Sequence, residues 1–425
     1  MTDTIFALSS GAPPAAIAVV RVSGPAAGDA VRLLTGRLPE PRRATLCDLA
    51  DAEGEPIDRA LVLWFPGAKT ATGEDLAEFH LHGGRAVVAS LEDTLEDMAG
   101  LRRAEPGEFT RRAFANGRID LAEAEGLADL LSAETELQRR SALAMAGGAF
   151  SRLVEGWRDG LLTCSASLEA VLDFADEDDV AVLPADFAQR LGTLRREIED
   201  WLTRPRAEML REGFRVVIAG PPNLGKSTLF NALVESEAAI ATPIPGTTRD
   251  VLTRPVSLEG IPFLFADTAG LHDAVDDEVE AIGIERALEA LDRADLVLWL
   301  GPEGQGPQGA WEVASQCDRD TALVKRAARH RLSAVTGEGM DDLRRDLIAT
   351  ARAAMPRPGE AALSERQHQL LTRANRALAD AEHENDPLLV AEGLRVARVA
   401  FDALLGRTTT EDMLDTLFGR FCIGK

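Results

Sequence analysis

Gly220-Pro221-Pro222-Asn223-Leu224-Gly225-Lys226-Ser227 constrains this chain more than any other stretch. It fits the spacing GxxxxGK[ST], in which a turn of backbone N–H groups cradles phosphate oxygens. Such a turn needs a buried strand entering it and a helix leaving it. Arg215–Ala219 (RVVIA) reads as the strand and Ser227–Leu233 (STLFNAL) as the helix. A chance glycine-rich turn would match the loop without matching both flanks. The stretch therefore predicts an α/β P-loop domain. Lys226 is placed to reach the β- and γ-phosphate oxygens, and the Ser227 hydroxyl to ligate magnesium. Asn223, Leu224, Gly225 and Thr228 complete the nucleotide contacts of the loop.

Two further segments narrow the class. The apolar strand Phe263–Ala266 ends in Asp267-Thr268-Ala269-Gly270. Asp267 is placed to hold magnesium through water, and Gly270 to sense a γ-phosphate. Between this segment and the P-loop lies Gly246-Thr247-Thr248-Arg249-Asp250. A threonine there can close on the metal only when the γ-phosphate is present. The three segments follow the order and rough spacing of the small GTPases.

The base-reading motif is degraded. Where Asn-Lys-x-Asp is expected, the chain has Ser315-Gln316-Cys317-Asp318. Asp318 can accept from the guanine N1–H and N2–H, the contact that separates guanine from adenine. Ser333-Ala334 follows the strand His330-Arg331-Leu332, as a base-capping turn should. The base is read as guanine; the bland alternative makes Asp318 a loop carboxylate only. Ser315 is expected to be too short to reproduce an asparagine's contacts with guanine and the P-loop. Gln316 is expected to pack less of the base than a lysine stem.

With these residues in view, the chain resembles the bacterial MnmE (TrmE) family of tRNA-modification GTPases nearly end to end. The resemblance rests on Asp3-Thr4-Ile5, Val20-Arg21-Val22-Ser23-Gly24, His82-Gly83-Gly84, Pro106-Gly107-Glu108-Phe109 and Asp120-Leu121-Ala122-Glu123-Ala124-Glu125. It continues through Ile282-Gly283-Ile284-Glu285-Arg286 and the terminal Phe421-Cys422-Ile423-Gly424-Lys425. The resemblance implies GTP hydrolysis coupled to C5 modification of a tRNA wobble uridine. It implies a homodimer, a flavin-dependent partner resembling MnmG, and 5-formyltetrahydrofolate or a related tetrahydrofolate. Arg21, Glu78, Arg118 and Lys425 match the family's folate positions. The resemblance assigns the Cys422 position a role in uridine chemistry, whereas its apolar neighbours favour an ordinary buried thiol.

The resemblance also bears on hydrolysis. Many GTPases place a water-orienting glutamine after DTAG, but Leu271 stands here and cannot orient water. Another group must meet the developing charge. Asn223 matches a potassium-ligating asparagine, with the carbonyls of Thr242, Ile244 and Thr247 in the loop 241–247 as further potassium ligands. Thr248 matches a magnesium-ligating threonine. Glu280 matches a glutamate acting through water; by itself it would be a solvated carboxylate in an acidic run. Thr268 and Ala269 belong to the same nucleotide-facing segment.

Composition limits the alternatives. With 425 residues, the chain can form two or three domains, and 45% hydrophobic content supplies their cores. A net charge of −24 opposes general nucleic-acid affinity, so a partner is expected to supply basic surface for RNA. No apolar run reaches membrane-spanning length and no basic-apolar leader opens the chain, so a cytoplasmic location is expected. Cys47, Cys164, Cys317 and Cys422 are scattered and imply neither zinc nor a disulfide framework. His80 and His82 alone do not make a metal site.

Residues 1–117 mix short apolar strands with a few helices, an α+β pattern. Proline is absent from Gly107 to Leu183, where Ala, Glu and Leu dominate. Asp120 with Glu123 predicts a capping box opening one long helix. The expected organisation is an N-terminal α+β domain (1–117), a helical domain in two parts (118–212 and 356–425), and an inserted α/β P-loop G domain (213–355). Between the strands Asp295–Leu300 and Trp311–Ser315 lie only residues 301–310, rich in Gly, Pro and Gln. A parallel crossover with its helix takes at least about 10–12 residues, so this helix is expected to be missing or reduced to a turn. A ribosome-assembly GTPase and a folate-dependent one-carbon transferase with a regulatory G domain remain the competing functions.

Overall fold

The computed structural model describes residues 3–173, 183–235, 252–267, 289–320 and 322–424. The chain divides into two compact units, Met1–Ala128 with Phe401–Lys425, and Asp129–Ala400.

The first unit is built on a six-stranded sheet of β1 (Thr4–Leu8), β2 (Ile17–Ser23), β3 (Thr45–Ala50), β4 (Pro56–Phe65), β5 (Leu76–His82) and β6 (Leu101–Arg103). Its order is β3-β4-β5-β2-β1-β6, antiparallel except for the β1–β6 pair. Alternation along the strands decides which face is covered. On β2, Ala18, Val20 and Val22 are fully buried, and on β5 so are Ala77 and Phe79. They pack under the helices Ala27–Thr35 and Arg85–Glu96. Each buried Val, Leu or Phe there contributes about 1.5–3 kcal/mol. The opposite face carries Arg21, Glu78 and His80, together with exposed Ile17, Leu46 and Leu61. The register sets Arg21 opposite Glu78.

The same unit holds a buried ion cluster. Arg112, in the helix Glu108–Ala115, is wholly inaccessible. Its Nη1 donates to the Asp3 carbonyl (2.9 Å) and Glu74 (3.1 Å), and its Nη2 to the Asp3 carboxylate (3.0 Å) and Glu108 (3.3 Å). The last part of the chain belongs here too. Leu414, Leu417, Phe418 and Phe421 form a core with Leu121 and Ala124.

The long helix expected from Asp120 is three helices, Leu121–Leu131, Glu136–Ala146 and Ala149–Asp173. The opening box forms as read: Asp120 accepts from the Glu123 N–H and Glu123 from the Asp120 N–H, both at 2.9 Å. A second capping box, Thr135 with Gln138, restarts the chain after the first break. Gly147 and Gly148 make the second break, with Gly148 in the left-handed region at φ 71°.

The second unit contains the other sheet: β7 (Phe214–Ala219), β8 (Leu252–Leu258), β9 (Ile261–Asp267), β10 (Leu296–Trp299), β11 (Trp311–Ala314) and β12 (His330–Arg331). The order is β12-β11-β10-β7-β9-β8, parallel throughout except at the β8 edge. Central β7 is buried at every position but Arg215, as a parallel strand covered on both faces should be. Phe263 and Phe265 stack in this core with ring centroids 5.7 Å apart.

No helix joins β10 to β11; residues 301–310 are turns and bends. The short crossover is held by side chains. The Trp299 indole N–H donates to the Pro302 carbonyl (2.9 Å), and Glu312 accepts from the Gly304 N–H (2.9 Å). Below them the Lys325 ammonium donates to the Trp299 carbonyl (2.7 Å) and to Glu312 (2.6 Å).

Candidate functional site

The site in the second unit is assembled at the C-terminal edge of the parallel sheet, where such sheets place ligands. β7 and β10 end in register, Ala219 opposite Trp299. The P-loop leaves β7 at that edge. Asn223 takes a left-handed φ of 64°, and Gly225 follows at φ 81° as the cap of the helix Lys226–Val234. The first turn of this helix has N–H groups with no partner inside the helix, at the positive end of its dipole. Ser227 and Thr228 are exposed there, whereas Lys226 is buried and its Nζ donates to the Pro221 carbonyl at 2.9 Å.

Asp267 ends β9 opposite Ile218 of β7 and is almost wholly buried. Its carboxylate therefore comes to the loop from the neighbouring strand. Asp267 and the exposed Ser227 hydroxyl are oxygen donors of the kind magnesium, a hard cation that retains water and phosphate ligands, prefers. Among the described residues, no group of three or more His, Cys, Asp or Glu side chains could hold a metal by itself.

The base side is assembled by β11 and the turn after β12. Ser333 is buried and its Oγ accepts from the Thr336 N–H at 3.2 Å. A hydrogen bond from Ser333, and one from its own backbone, hold the exposed Asp318 carboxyl below the usual carboxylate range. The Asp318 carboxylate is an acceptor, and half-buried Ala334 follows Ser333 in the turn. Ser315 requires a correction. Its hydroxyl does reach the P-loop, donating to the Leu224 carbonyl at 2.8 Å. Gln316 also turns toward the P-loop, its Nε2 donating to the Asn223 carbonyl at 3.3 Å. Neither contact was visible in the sequence, because each acceptor is a backbone carbonyl more than ninety residues away.

The remaining positions divide in two. Thr242, Ile244, Thr247, Thr248, Thr268, Ala269, Gly270, Leu271, Glu280 and Lys425 lie outside the described residues. Arg21, Glu78, Arg118 and Cys422 lie in the first unit. Arg21 grips Glu78 Oε1 through Nε and Nη2 (3.1 and 2.9 Å), with the ring of Phe109 5.7 Å from its guanidinium. The His80 ring approaches the other carboxylate oxygen at 3.4 Å. Arg118 instead donates to the Thr70 carbonyl at 3.1 Å. His82 turns to Asp58, which accepts from both its backbone N–H and its ring at 2.8 Å. Cys422 is exposed, which overturns the buried reading, while Cys47 and Cys164 are buried thiols pushed up by burial.

A phosphate cradle flanked by a cation-side and a base-side carboxylate on one sheet edge places the protein among the P-loop GTPases. Comparison with known proteins narrows the class. The profile "MnmE helical domain" matches residues 121–422 and "GTP-binding protein TrmE N-terminus" matches residues 4–118. The "tRNA modification GTPase MnmE" of Novosphingobium aromaticivorans is 64% identical over 100% of both chains. Those of Erythrobacter litoralis and Zymomonas mobilis are 62% and 49% identical, covering 100% and 99% of this chain and 100% of each relative. The chain belongs to the MnmE family of tRNA modification GTPases. Among solved structures, the cytosolic domain of the T. maritima FeoB iron transporter in GMPPNP form is 17% identical. It covers 46% of this chain and 94% of its own, at a TM-score of 0.24.

Proposed function

We propose that this protein hydrolyses GTP to drive C5 modification of the wobble uridine of certain tRNAs, of the aminomethyl or carboxymethylaminomethyl type. It acts as a homodimer in the cytoplasm with a flavin-dependent partner. The observation that carries the reading is the convergence of the P-loop, Asp267 and Asp318 on one sheet edge, in a chain matched over its whole length by MnmE relatives.

Each residue then has a task. Lys226 leaves the Pro221 carbonyl for the β- and γ-phosphates. The N–H groups of Leu224, Gly225 and the first helical turn hold phosphate oxygens. Asp318 accepts from the guanine edge, and the hydrogen bond from Ser333 aims it. Ser227, Thr248 and, through water, Asp267 would hold magnesium, which neutralises charge on the phosphates when bound. Asn223, with the carbonyls of Thr242, Ile244 and Thr247, would hold potassium, and Glu280 would position the water that Leu271 cannot. Arg21 and Glu78 fit a tetrahydrofolate, since a carboxylate can meet a pterin N–H edge and a guanidinium an anionic tail. They share the outer sheet face with exposed Ile17, Leu46 and Leu61, an apolar surface suited to a second copy. Cys422, exposed near the end of the chain, is available to act on uridine.

The test has two readouts. GTP turnover should be fast in potassium and slow in sodium at equal ionic strength; equal rates would remove the potassium assignment. Mass spectrometry of tRNA nucleosides from cells lacking the gene should show loss of a wobble-uridine adduct. An unchanged nucleoside profile would overturn the modification reading and favour a ribosome-assembly role.

A further inference from the structure

We propose that Lys325 is a positioning residue for the terminal-phosphate side of the P-loop, acting through the helix-free crossover after β10. The proposal rests on the reading of residues 220–227 as a nucleotide site. Only four of the chain's 46 Lys and Arg residues are lysines, and Lys325 is one whose side chain has no exposed surface. A compact ammonium fits such an enclosure where a forked guanidinium does not. It reaches the register pair of Trp299 on β10 and Glu312 on β11. Its Nζ donates to the carbonyl of the first and the carboxylate of the second, at 2.7 and 2.6 Å. The backbone just beyond Lys325 grips the crossover as well, since Glu303 accepts from the Arg326 and Ala327 N–H groups at 2.8 and 2.7 Å. Side chains thus fix the path of the crossover, where a parallel connection usually has a helix.

The P-loop rests on that path. A Cβ added at Gly220 would meet the Gly301 nitrogen at 2.9 Å. One added at Gly301 would meet Pro221 Cδ at 2.8 Å and the Trp299 ring at 2.5 Å. Pro221 and the Trp299 indole therefore both press on Gly301, with no room for a methyl group. The Pro221 carbonyl in turn accepts from Lys226 Nζ at 2.9 Å. Lys226 serves the β- and γ-phosphates, so Pro221 marks the terminal-phosphate side of the cradle. The remaining contacts to a nucleotide come from the first turn of the helix Lys226–Val234 and from Asp318. A shift of the crossover moves the first side and spares the second.

The experiment measures GTP turnover per GDP-binding site, GDP affinity and melting temperature in Lys325→Met, Gly301→Ala and Gln308→Ala. Gln308 is an exposed crossover residue and serves as the control. Gly301 is not in the left-handed region, so its added methyl acts by contact and not by backbone strain. A misplacement of about 1 Å far from the chemistry can cost about 10²-fold in rate. Turnover per site should therefore fall about 10- to 100-fold in Lys325→Met and Gly301→Ala, with GDP affinity within about twofold of wild type. Gln308→Ala should match wild type in all three measurements. Counting sites by GDP removes unfolded protein from the comparison, so a purely structural role would lower the melting temperature and leave turnover per site unchanged. Wild-type turnover per site in Lys325→Met, or a GDP affinity that falls in step with turnover, would overturn the proposal. If Lys325→Met does not fold, Gly301→Ala decides by the same two criteria. Wild-type protein that neither binds GDP nor hydrolyses GTP would overturn the nucleotide reading itself, and the positioning role with it.

Discussion

The two six-stranded sheets solve the same burial problem in different ways. The first is mostly antiparallel and covers one face with two helices; its other face carries Arg21, Glu78, His80 and scattered apolar side chains, with a small core around Phe109 only at the β1 edge. The second is mostly parallel, and its central strand is covered on both faces. A sheet with an open face can carry chemistry in the middle of its strands. A sheet closed on both faces can carry it only where strands end. Arg21 and Glu78 accordingly sit mid-strand, opposite one another, while the P-loop and Asp267 sit at strand termini.

The contrast can be broken at three points. The largest effect should come from the strand-end site. Lys226→Ala should reduce GTP turnover by about 10²–10³-fold, the usual loss when one preorganised donor to developing charge is removed. Phosphate release under saturating GTP measures it, and a loss under tenfold would deny Lys226 its place at the phosphates.

A smaller effect, on stability, should come from beneath the open-faced sheet. Arg112→Met strands Glu74, Asp3 and Glu108 without their inaccessible cation and should destabilise the first unit by about 3–5 kcal/mol. Burial alone would raise the Glu108 carboxyl, but hydrogen bonds from Arg102 and the Glu105 backbone, with the Arg102 and Arg112 charges, hold it below its ordinary value. A depressed pKa stabilises the fold above the unfolded value, near 4.5, and that contribution is lost as pH falls through the folded value. Urea titrations should therefore show wild type weakening below about pH 4.5, and Arg112→Met weakening less steeply over the same range.

The smallest effect should come from the open face itself. Arg21 and Glu78 keep 25% and 18% of their side-chain surface exposed, so Arg21→Ala should cost about 1–2 kcal/mol in a urea titration. A loss of several kcal/mol would mean that this pair is a structural strut and not a free face.

What could be read in advance followed physical scale. Strands β7 and β9 were legible because continuous burial leaves an apolar pattern in four or five residues. The missing crossover helix was legible because ten Gly- and Pro-rich residues cannot hold one. The breaks after Leu131 and Ala146 were hidden by a composition that favours helix throughout, although Gly147-Gly148 was a visible stop signal. The contacts of Ser315 and Gln316 were legible only as motif positions, and serine was read as too short to reach the P-loop. A hydroxyl or amide meeting a distant main-chain carbonyl leaves no mark in the identity of its acceptor.

The last residues of the chain have a consequence for how the protein is made. Gly424, at φ 92°, lies so close to β1 that an added Cβ would meet the Leu8 carbonyl at 2.1 Å, and the Ser9 hydroxyl donates to the Gly424 carbonyl at 2.8 Å. Residues 401–425 complete a unit whose other part, 1–128, leaves the ribosome first. Roughly 270 residues must be translated in between, which takes about 15–50 seconds at 5–20 residues per second. Throughout that interval Leu121 and Ala124 lack the partners Leu414, Leu417, Phe418 and Phe421 that bury them in the folded unit.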